Sequence, residues 1–537
     1  MTGIGEIESS EWQWIFIVSA ILLVIISIPF LWAYGVALPD THFLGILNNP
    51  IDGASYLAKM YQGYSGSWLV TLPYTPEPHH GVISYTFYLA LGHLARLLNL
   101  PLVLVFHVAR LVGTVLMFLA LYRFVADWTD DVAQRRLTWS LVVLGSGLGA
   151  VALLFRVTTP DLLVMPEAFP LQAAYTNAHF PWSITMALML AHVLVNMALR
   201  ADRPSPTLNL YSIFLATAAL ALGVMAPFVL VPLALGYGAL LVWLWRRRRA
   251  FPLREASWGS IVLIFGLPVL AYDFWIATGA GPVFSAWMAQ NLTPSPPVWH
   301  YLIAFGPLLI LAGIGLWGIR GDLNDPGYLF LLVWLVGGAV LLYAPIPLQR
   351  RFSMGLIAPL GIFAGIGLRR VLLPAVRPDR RLFVTLAISS ACMITTIVAI
   401  LLPMVGAMAI QGLPRGDYYF SGADEQAALG WIARNGGSSP LVLASPELSL
   451  QLPLYGARVV YAHPFETVDA ARRERAVLDF YRGADCSVLT DEGVGWVIVG
   501  RRERALAGEG TICPLPDEPA YTSPQGEVLI YDVGSGR

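Results

Sequence analysis

The chain has 537 residues, of which 57% are apolar and 12% are charged, against roughly 45–50% and about 25% in soluble domains. This composition excludes an ordinary soluble enzyme. The formal net charge of -1 hides an asymmetry: residues 1–414 hold 39 of the 67 charged side chains and residues 415–537 hold 28, so the charged fraction rises from about 9% to about 23%. Membrane composition is followed by soluble composition. No basic footprint of a nucleic-acid binder is present.

The first charges are acidic (Glu6, Glu8, Glu11) and the apolar run from Trp14 to Leu31 is too long for a secretory h-region, so it reads as a retained first span. Apolar runs near the spanning length of about 20 residues follow at about 103–122, 138–155, 182–199, 209–225, 228–245, 258–277, 301–319, 328–344, 353–368 and 383–404. With the first run at about 14–34, they predict about eleven spans. A further run, 82–98, is interrupted by His93 and Arg96. If it crossed, the four-arginine run Arg246 to Arg249 would lie outside. If it lies along the interface and the N-terminus is inside, 16 of the 22 basic residues before position 415 collect in cytoplasmic loops, Arg200 and Arg203 among them. The expected topology places long outer segments at about 35–102, 157–181 and 278–300, and puts the tail outside. The fold class expected is an α-helical polytopic membrane domain, 1–414, followed by an extracytoplasmic α/β domain, 415–537.

In the tail, Ala423 to Arg434 and Ala470 to Tyr481 have helical spacing. Leu441 to Ala444, Val459 to Ala462, Gly495 to Val499 and Val528 to Asp532 read as strands. Strands separated by helical patterns predict a small α/β sheet domain. Cys486 and Cys513 lie in this domain, where an oxidising compartment would let them pair, and Cys392 lies in an apolar run. Spacing alone leaves that pairing open.

The first outer segment is the richest in chemistry. It holds Asp40, Asp52, Glu77, His79, His80 and Lys59, the single lysine of an arginine-biased chain. A lone lysine there is either drift or a residue chosen for its compact ammonium. Asp52 opens a helical stretch with Tyr56 one turn on, and after Asn48, Asn49 and Pro50 it reads either as a helix N-cap or as a carboxylate aimed into a cavity. Arg350 and Arg351 lie outside, against the charge rule, where two guanidiniums suit either a phosphate or anionic lipid headgroups. Arg110 falls within a span. The second outer segment carries Asp161, Glu167 and His179, and in the tail His463 and Glu466 follow a strand, where a turn or a solvated face explains them as well as a site does.

The order of these features carries a resemblance. A first span is followed by Asp52, Tyr56, Gly66-Ser67-Trp68, Tyr74-Thr-Pro-Glu77-Pro-His79, Tyr85-Thr-Phe-Tyr88-Leu-Ala-Leu-Gly92 and Phe106-His107-Val-Ala-Arg110-Leu111. In this order the chain resembles the GT-C glycosyltransferases, in particular the branch of protein O-mannosyltransferases and lipid A aminoarabinose transferases. The resemblance implies a donor sugar on a polyprenyl phosphate, a lipid, glycan or protein acceptor, and contact with membrane lipids. It implies that Asp52 is the catalytic base, with Asp40 as its substitute. Lys59, Tyr56, Glu77, His79, Arg110, Arg350 and Arg351 are then the expected substrate-binding residues. Glu167, Asp161 and His179 become the expected ligands of a divalent metal, Mg or Mn. One departure is Gly53, where the family commonly has a second acid beside the aspartate.

The competing reading is a polytopic transporter or flippase of cell-envelope intermediates, since many spans with buried charges also suit translocation. The acid- and histidine-bearing outer segments favour the transferase.

Overall fold

A computed structural model describes residues 5–199, 208–408 and 418–534. Arg200, Arg203 and the 414/415 boundary expected from composition lie outside the described residues. Among the described residues, eight helices are long and apolar enough to cross a membrane: Ser9–Gly35, Leu102–Ala126, Val132–Leu153, His179–Leu199, Pro227–Arg248, Leu253–Gly279, Gln349–Ala375 and Pro378–Ala407. The chain is a multi-pass membrane protein. The remaining three expected runs are helical too, but in different forms. The pair Val298–Ala304 and Gly306–Gly318 is bent by 84°, and Leu210–Met225 and Pro326–Leu341 are shorter apolar helices. Each of these two has 16 residues, about 24 Å at 1.5 Å per residue, less than the roughly 30 Å of a hydrocarbon core. The interrupted run forms the 13-residue helix Thr86–Leu98, shorter still.

The chain folds into two compact units. One draws on Met1–Ile28, His107–Asp273 and Leu292–Leu402, and its described residues are all helical apart from their connections. The other draws on Pro29–Phe106, Phe274–Asn291 and Pro403–Arg537. Thus the first outer segment belongs with the tail rather than with most of the spans.

The second unit contains a five-stranded sheet in the order β4-β3-β5-β7-β6, with β3 at Leu441–Leu443, β4 at Arg458–Val459, β5 at Trp496–Val499, β6 at Tyr521–Thr522 and β7 at Leu529–Asp532. β3 runs parallel to β4 and β5, while β7 is antiparallel to β5 and β6. The second expected strand is cut short: only Val459 of the Val459 to Ala462 run lies in the sheet, and its N–H is taken by the Pro73 carbonyl of the first outer segment. β6 carries no apolar alternation to announce it. A separate two-stranded ribbon pairs β1, Thr41–Phe43, with β2, Phe420–Gly422. It joins the first outer segment to the start of the tail.

One face of the large sheet packs on Ala428, Leu429 and Ile432 of the Ala423–Asn435 helix, and Ala58 and Tyr74 from the first outer segment complete this core. The other face packs on Val477, Phe480 and Tyr481 of the Ala470–Tyr481 helix. Cys486 and Cys513 are joined in a disulfide on this side, with Cα atoms 5.7 Å apart. The helix Pro50–Tyr64 lies against Thr86–Leu98 at backbone contact. A Cβ on Gly63 would stand 2.2 Å from the Leu89 carbonyl oxygen, and one on Gly92 1.9 Å from that of Met60. Only glycine at both positions lets the two helices cross this closely, and the crossing fixes the helix that carries Asp52.

Candidate functional site

Pro50 occupies the first turn of its helix, where its missing N–H costs nothing, and Asn49 is the cap residue, with a φ of 51°. Asp52 therefore sits inside the first turn and is not the cap, which corrects the capping alternative. A carboxylate there is favoured by the helix dipole. Its side chain is 36% exposed, and Oδ2 accepts a hydrogen bond from Asn49 Nδ2 at 2.5 Å.

Facing this helix is the turn His463 to Thr467, which follows β4. The turn closes through the N–H groups of Glu466 and Thr467, both bonded to the His463 carbonyl. His463 is buried, and its Nε2 stands 3.4 Å from Asp52 Oδ1. One turn along the same helix face, Ser55 Oγ donates to Glu466 Oε1 at 2.5 Å, and Lys59 Nζ reaches the same oxygen at 2.6 Å. Lys59 also donates to Ser55 and lies 4.2 Å from the centre of the Tyr85 ring. Burial favours the neutral acid of Glu466. The positive charge of Lys59 and the bonds from Lys59 and Ser55, with the neighbouring His463 ring, outweigh it and hold the carboxyl below its usual range. Tyr74 is pushed well above its usual value by burial and by the Glu466 charge, and its hydroxyl donates to the Leu450 carbonyl.

The other residues expected in the first segment have defined places in the same unit. Tyr56 stacks on Tyr88, with ring centres 4.4 Å apart. Glu77 receives Arg473 Nη2 at 2.5 Å and also bonds to Thr75. His79 has both ring nitrogens on backbone groups, Nε2 accepting from Leu72 N–H and Nδ1 donating to the Glu77 carbonyl, each at 2.8 Å. Burial keeps its pKa below the ordinary histidine value. Glu77 and His79 thus shape the loop. Asp40 is exposed on a cavity of about 570 Å³ that is also lined by Asp424, Arg501, Arg502 and Glu527.

The remaining expected residues belong to the helical unit. Arg110 is buried, donating to the Ala174 carbonyl at 2.7 Å and to His107 Nδ1 at 3.3 Å. Arg350 and Arg351 lie on the short helical turn Gln349–Ser353. The extended stretch at Thr293 pairs with this turn through Thr293 N–H to the Pro347 carbonyl and Arg350 N–H to the Thr293 carbonyl. Among the described residues, Arg350 Nε, Thr293 Oγ1 and Ser353 Oγ are all buried without a hydrogen-bond partner. Two of these groups lie on the turn and the third on the stretch paired with it. The sequence singled out the arginine by its charge asymmetry; the two buried hydroxyls carry no sequence signal.

The expected metal set does not fit a cation. Asp161 Oδ2 accepts from the N–H groups of Gly147 and Gly149, and Oδ1 from Thr159. Burial raises the pKa of Asp161 against these bonds. Its carboxylate is consumed in holding the 147–149 backbone, and among the described residues no three His, Cys, Asp or Glu side chains gather as a metal site requires. Glu167 and His179 are buried, with the His179 ring against Phe180.

No family model and no curated protein matches the sequence. Solved structures do. The chain is similar to the Archaeoglobus fulgidus oligosaccharyltransferase, solved with a tethered acceptor peptide, at a TM-score of 0.54 and 13% identity over 91% of this chain and 69% of that one. It is similar to ArnT from Cupriavidus metallidurans, bound to undecaprenyl phosphate, at a TM-score of 0.50 and 13% identity over 98% of both chains. It is also similar to the arabinofuranosyltransferase AftD from Mycobacteria at a TM-score of 0.50 and 16% identity, over 97% of this chain and 41% of that one. These are GT-C glycosyltransferases, and the chain has their fold.

Proposed function

We propose that the chain is a membrane glycosyltransferase that moves a sugar from a polyprenyl-phosphate donor to a lipid, glycan or protein acceptor on the outer face of the cytoplasmic membrane. The observation that carries this reading is the likeness to ArnT over 98% of both chains, in a structure that holds undecaprenyl phosphate. The archaeal oligosaccharyltransferase, also similar, is known in complex with dolichol phosphate. The disulfide between Cys486 and Cys513 supports an extracytoplasmic tail, since such bonds persist in oxidising compartments.

In this reaction an acceptor hydroxyl attacks the anomeric carbon, the bond from that carbon to the phosphate oxygen breaks, and the electron pair leaves with the lipid phosphate. The hydroxyl proton goes to Asp52, whose carboxylate is partly exposed and held by Asn49. One displacement on the face opposite the phosphate inverts the anomeric centre. The departing phosphate is a weak base, so cations rather than a general acid stabilise it, and Arg350 and Arg351 are assigned to that task. The metal expectation enters no step.

The test is transfer from radiolabelled polyprenyl-phosphate sugars into membrane extract by purified protein. Asp52→Asn keeps the bond from Asn49 but cannot take a proton, so it is expected to bind donor and lose about 10²–10⁴-fold in rate. More than about a tenth of wild-type transfer in that variant moves the base to Asp40. Equal activity of Asp40→Asn as well ends the general-base mechanism. Lipid movement across vesicles without any sugar transfer by the wild type would establish the transporter instead.

A further inference from the structure

We propose that His463, contributed by the α/β tail, is the positioning residue of Asp52: its Nε2–H orients the carboxylate that receives the acceptor proton. The inference rests on the transferase reading and assigns the tail a part in catalysis.

Three observations lead to it. The N–H of Phe465 donates to His463 Nδ1 at 3.2 Å, so that nitrogen presents its lone pair and the ring proton lies on Nε2. Nε2 is buried and, among the described residues, lacks an aligned hydrogen bond. Its near neighbour is Asp52 Oδ1 at 3.4 Å. A buried N–H requires an acceptor, and a closure of about half an ångström brings this one to normal N–H···O length. Catalytic hydrogen bonds are often long before substrate binds and tighten in the complex.

The turn that holds His463 is itself fixed. Thr467 Oγ1 accepts from His463 N–H at 3.3 Å and donates to the Tyr74 carbonyl at 2.7 Å, and Glu466 is locked to Ser55 and Lys59. The charged and titratable groups around the ring are Asp52 and Lys59 on the Pro50–Tyr64 helix, Glu466 on its own turn, and Tyr74, whose ring centre is 5.8 Å away. Phe465 covers another side at 6.2 Å. Once that closure is made, one N–H on Oδ1 from His463 and one on Oδ2 from Asn49 hold the Asp52 carboxylate between two donors. Because Nδ1 is already occupied, the histidine acts as a fixed donor rather than as a proton relay.

The experiment compares His463→Gln, which keeps a neutral N–H donor at similar reach, with His463→Met, which fills the space without one. Transfer from the labelled polyprenyl-phosphate sugar is followed in the full-length protein. His463→Met is expected to lower kcat about 10- to 100-fold, the loss typical of a hydrogen bond to a charged group. Donor KM is expected to stay near wild type. The acid limb of its pH–rate profile should move to higher pH, because the Asp52 carboxylate loses a donor that favours ionisation. His463→Gln should recover most of the rate and the original limb. Wild-type kcat in a folded His463→Met protein overturns the proposal. So does equal loss in both variants with an unmoved acid limb, since that pattern marks a structural role alone. Asp52→Asn is run beside them: if it is inactive while His463→Met is fully active, the positioning role fails and the transferase reading stands. If Asp52→Asn transfers at the wild-type rate, the base assignment fails, and the positioning role fails with it.

Discussion

The ion pair between Lys59 and Glu466 gives a sharp test of how the first outer segment is tied to the tail. Their side chains are 1% and 7% exposed, with Nζ and Oε1 2.6 Å apart, so each charge depends on the other for solvation. Removing one partner from a buried pair leaves an uncompensated charge and costs about 3–5 kcal/mol, whereas replacing both with apolar groups of similar volume is often neutral or stabilising. For a cooperative unit of 150–250 residues, about 1 kcal/mol moves Tm by about 2–4 °C. Lys59→Met is therefore expected to lower the melting temperature by about 6–20 °C, and Lys59→Met with Glu466→Leu to recover most of it. The assay is thermal denaturation in detergent followed by tryptophan fluorescence, since Trp431 and Trp496 report on the sheet of the same unit. The pH dependence has a definite sign. The folded-state pKa of Glu466 lies below 4.5, so its contribution is present above about pH 4.5 and is lost as pH falls through the lower folded value. In Lys59→Met the opposing charge is gone, burial raises the same carboxyl, and protonation on acidification should relieve rather than add to the loss. A Lys59→Met melting temperature within about 2 °C of wild type at pH 7 would refute the reasoning.

Two further predictions concern the donor and the topology. Arg350→Ala should weaken donor binding about 10- to 100-fold, as loss of a charge-assisted bond does, with little effect on melting because Nε makes no hydrogen bond among the described residues. Donor affinity within twofold of wild type removes Arg350 from the phosphate. A cysteine placed at the exposed Ser438 should react with a membrane-impermeant maleimide in intact cells, and the Cys486–Cys513 bridge should resist alkylation until a reductant is added; failure of the outside reagent to reach position 438 reverses the topology.

The membrane part was legible because its signal is local. Runs of about 20 apolar residues need no partner to declare themselves, and each of them is mainly helical, though the run at 138–155 is broken between Leu144 and Gly149. What composition cannot show is where such a helix bends or falls short, as at the 84° break after Ala304. The tail was legible wherever strands are apolar. β6, with only Tyr521–Thr522, carries no pattern, and the β1–β2 ribbon depends on pairing across nearly 400 positions. Asp161 shows the limit at the site. The resemblance implied a metal ligand, but its two oxygens are taken by three donors from the neighbouring backbone and Thr159, an arrangement that exists only once the chain is folded.

Lys59 takes a structural place in this arrangement. Its singularity in an arginine-biased chain left drift and a residue chosen for its compact ammonium both open. In the structure the ammonium fits between Ser55, Glu466 and the face of Tyr85. That space suits a point charge better than a planar fork. The sequence held a further clue in spacing. Asp52, Ser55 and Lys59 stand at i, i+3 and i+7, so they line one face of the helix Pro50–Tyr64. A polar stripe on an element that buries Ala58 in a core must meet polar partners. The partners are His463 and Glu466, themselves i and i+3 in a tight turn and 411 positions away from Asp52 and Ser55 respectively. Two short polar patterns on distant segments match rung for rung: the acid with the histidine, and the serine and lysine with the glutamate. Since the lower rung fixes the distance at the upper one, Glu466→Gln should disturb Asp52 as well as stability. Its transfer rate is expected to fall with that of His463→Met, and their combined loss in the double variant should be smaller than the product of the two single losses. Independent, multiplicative losses would show that the two rungs act separately.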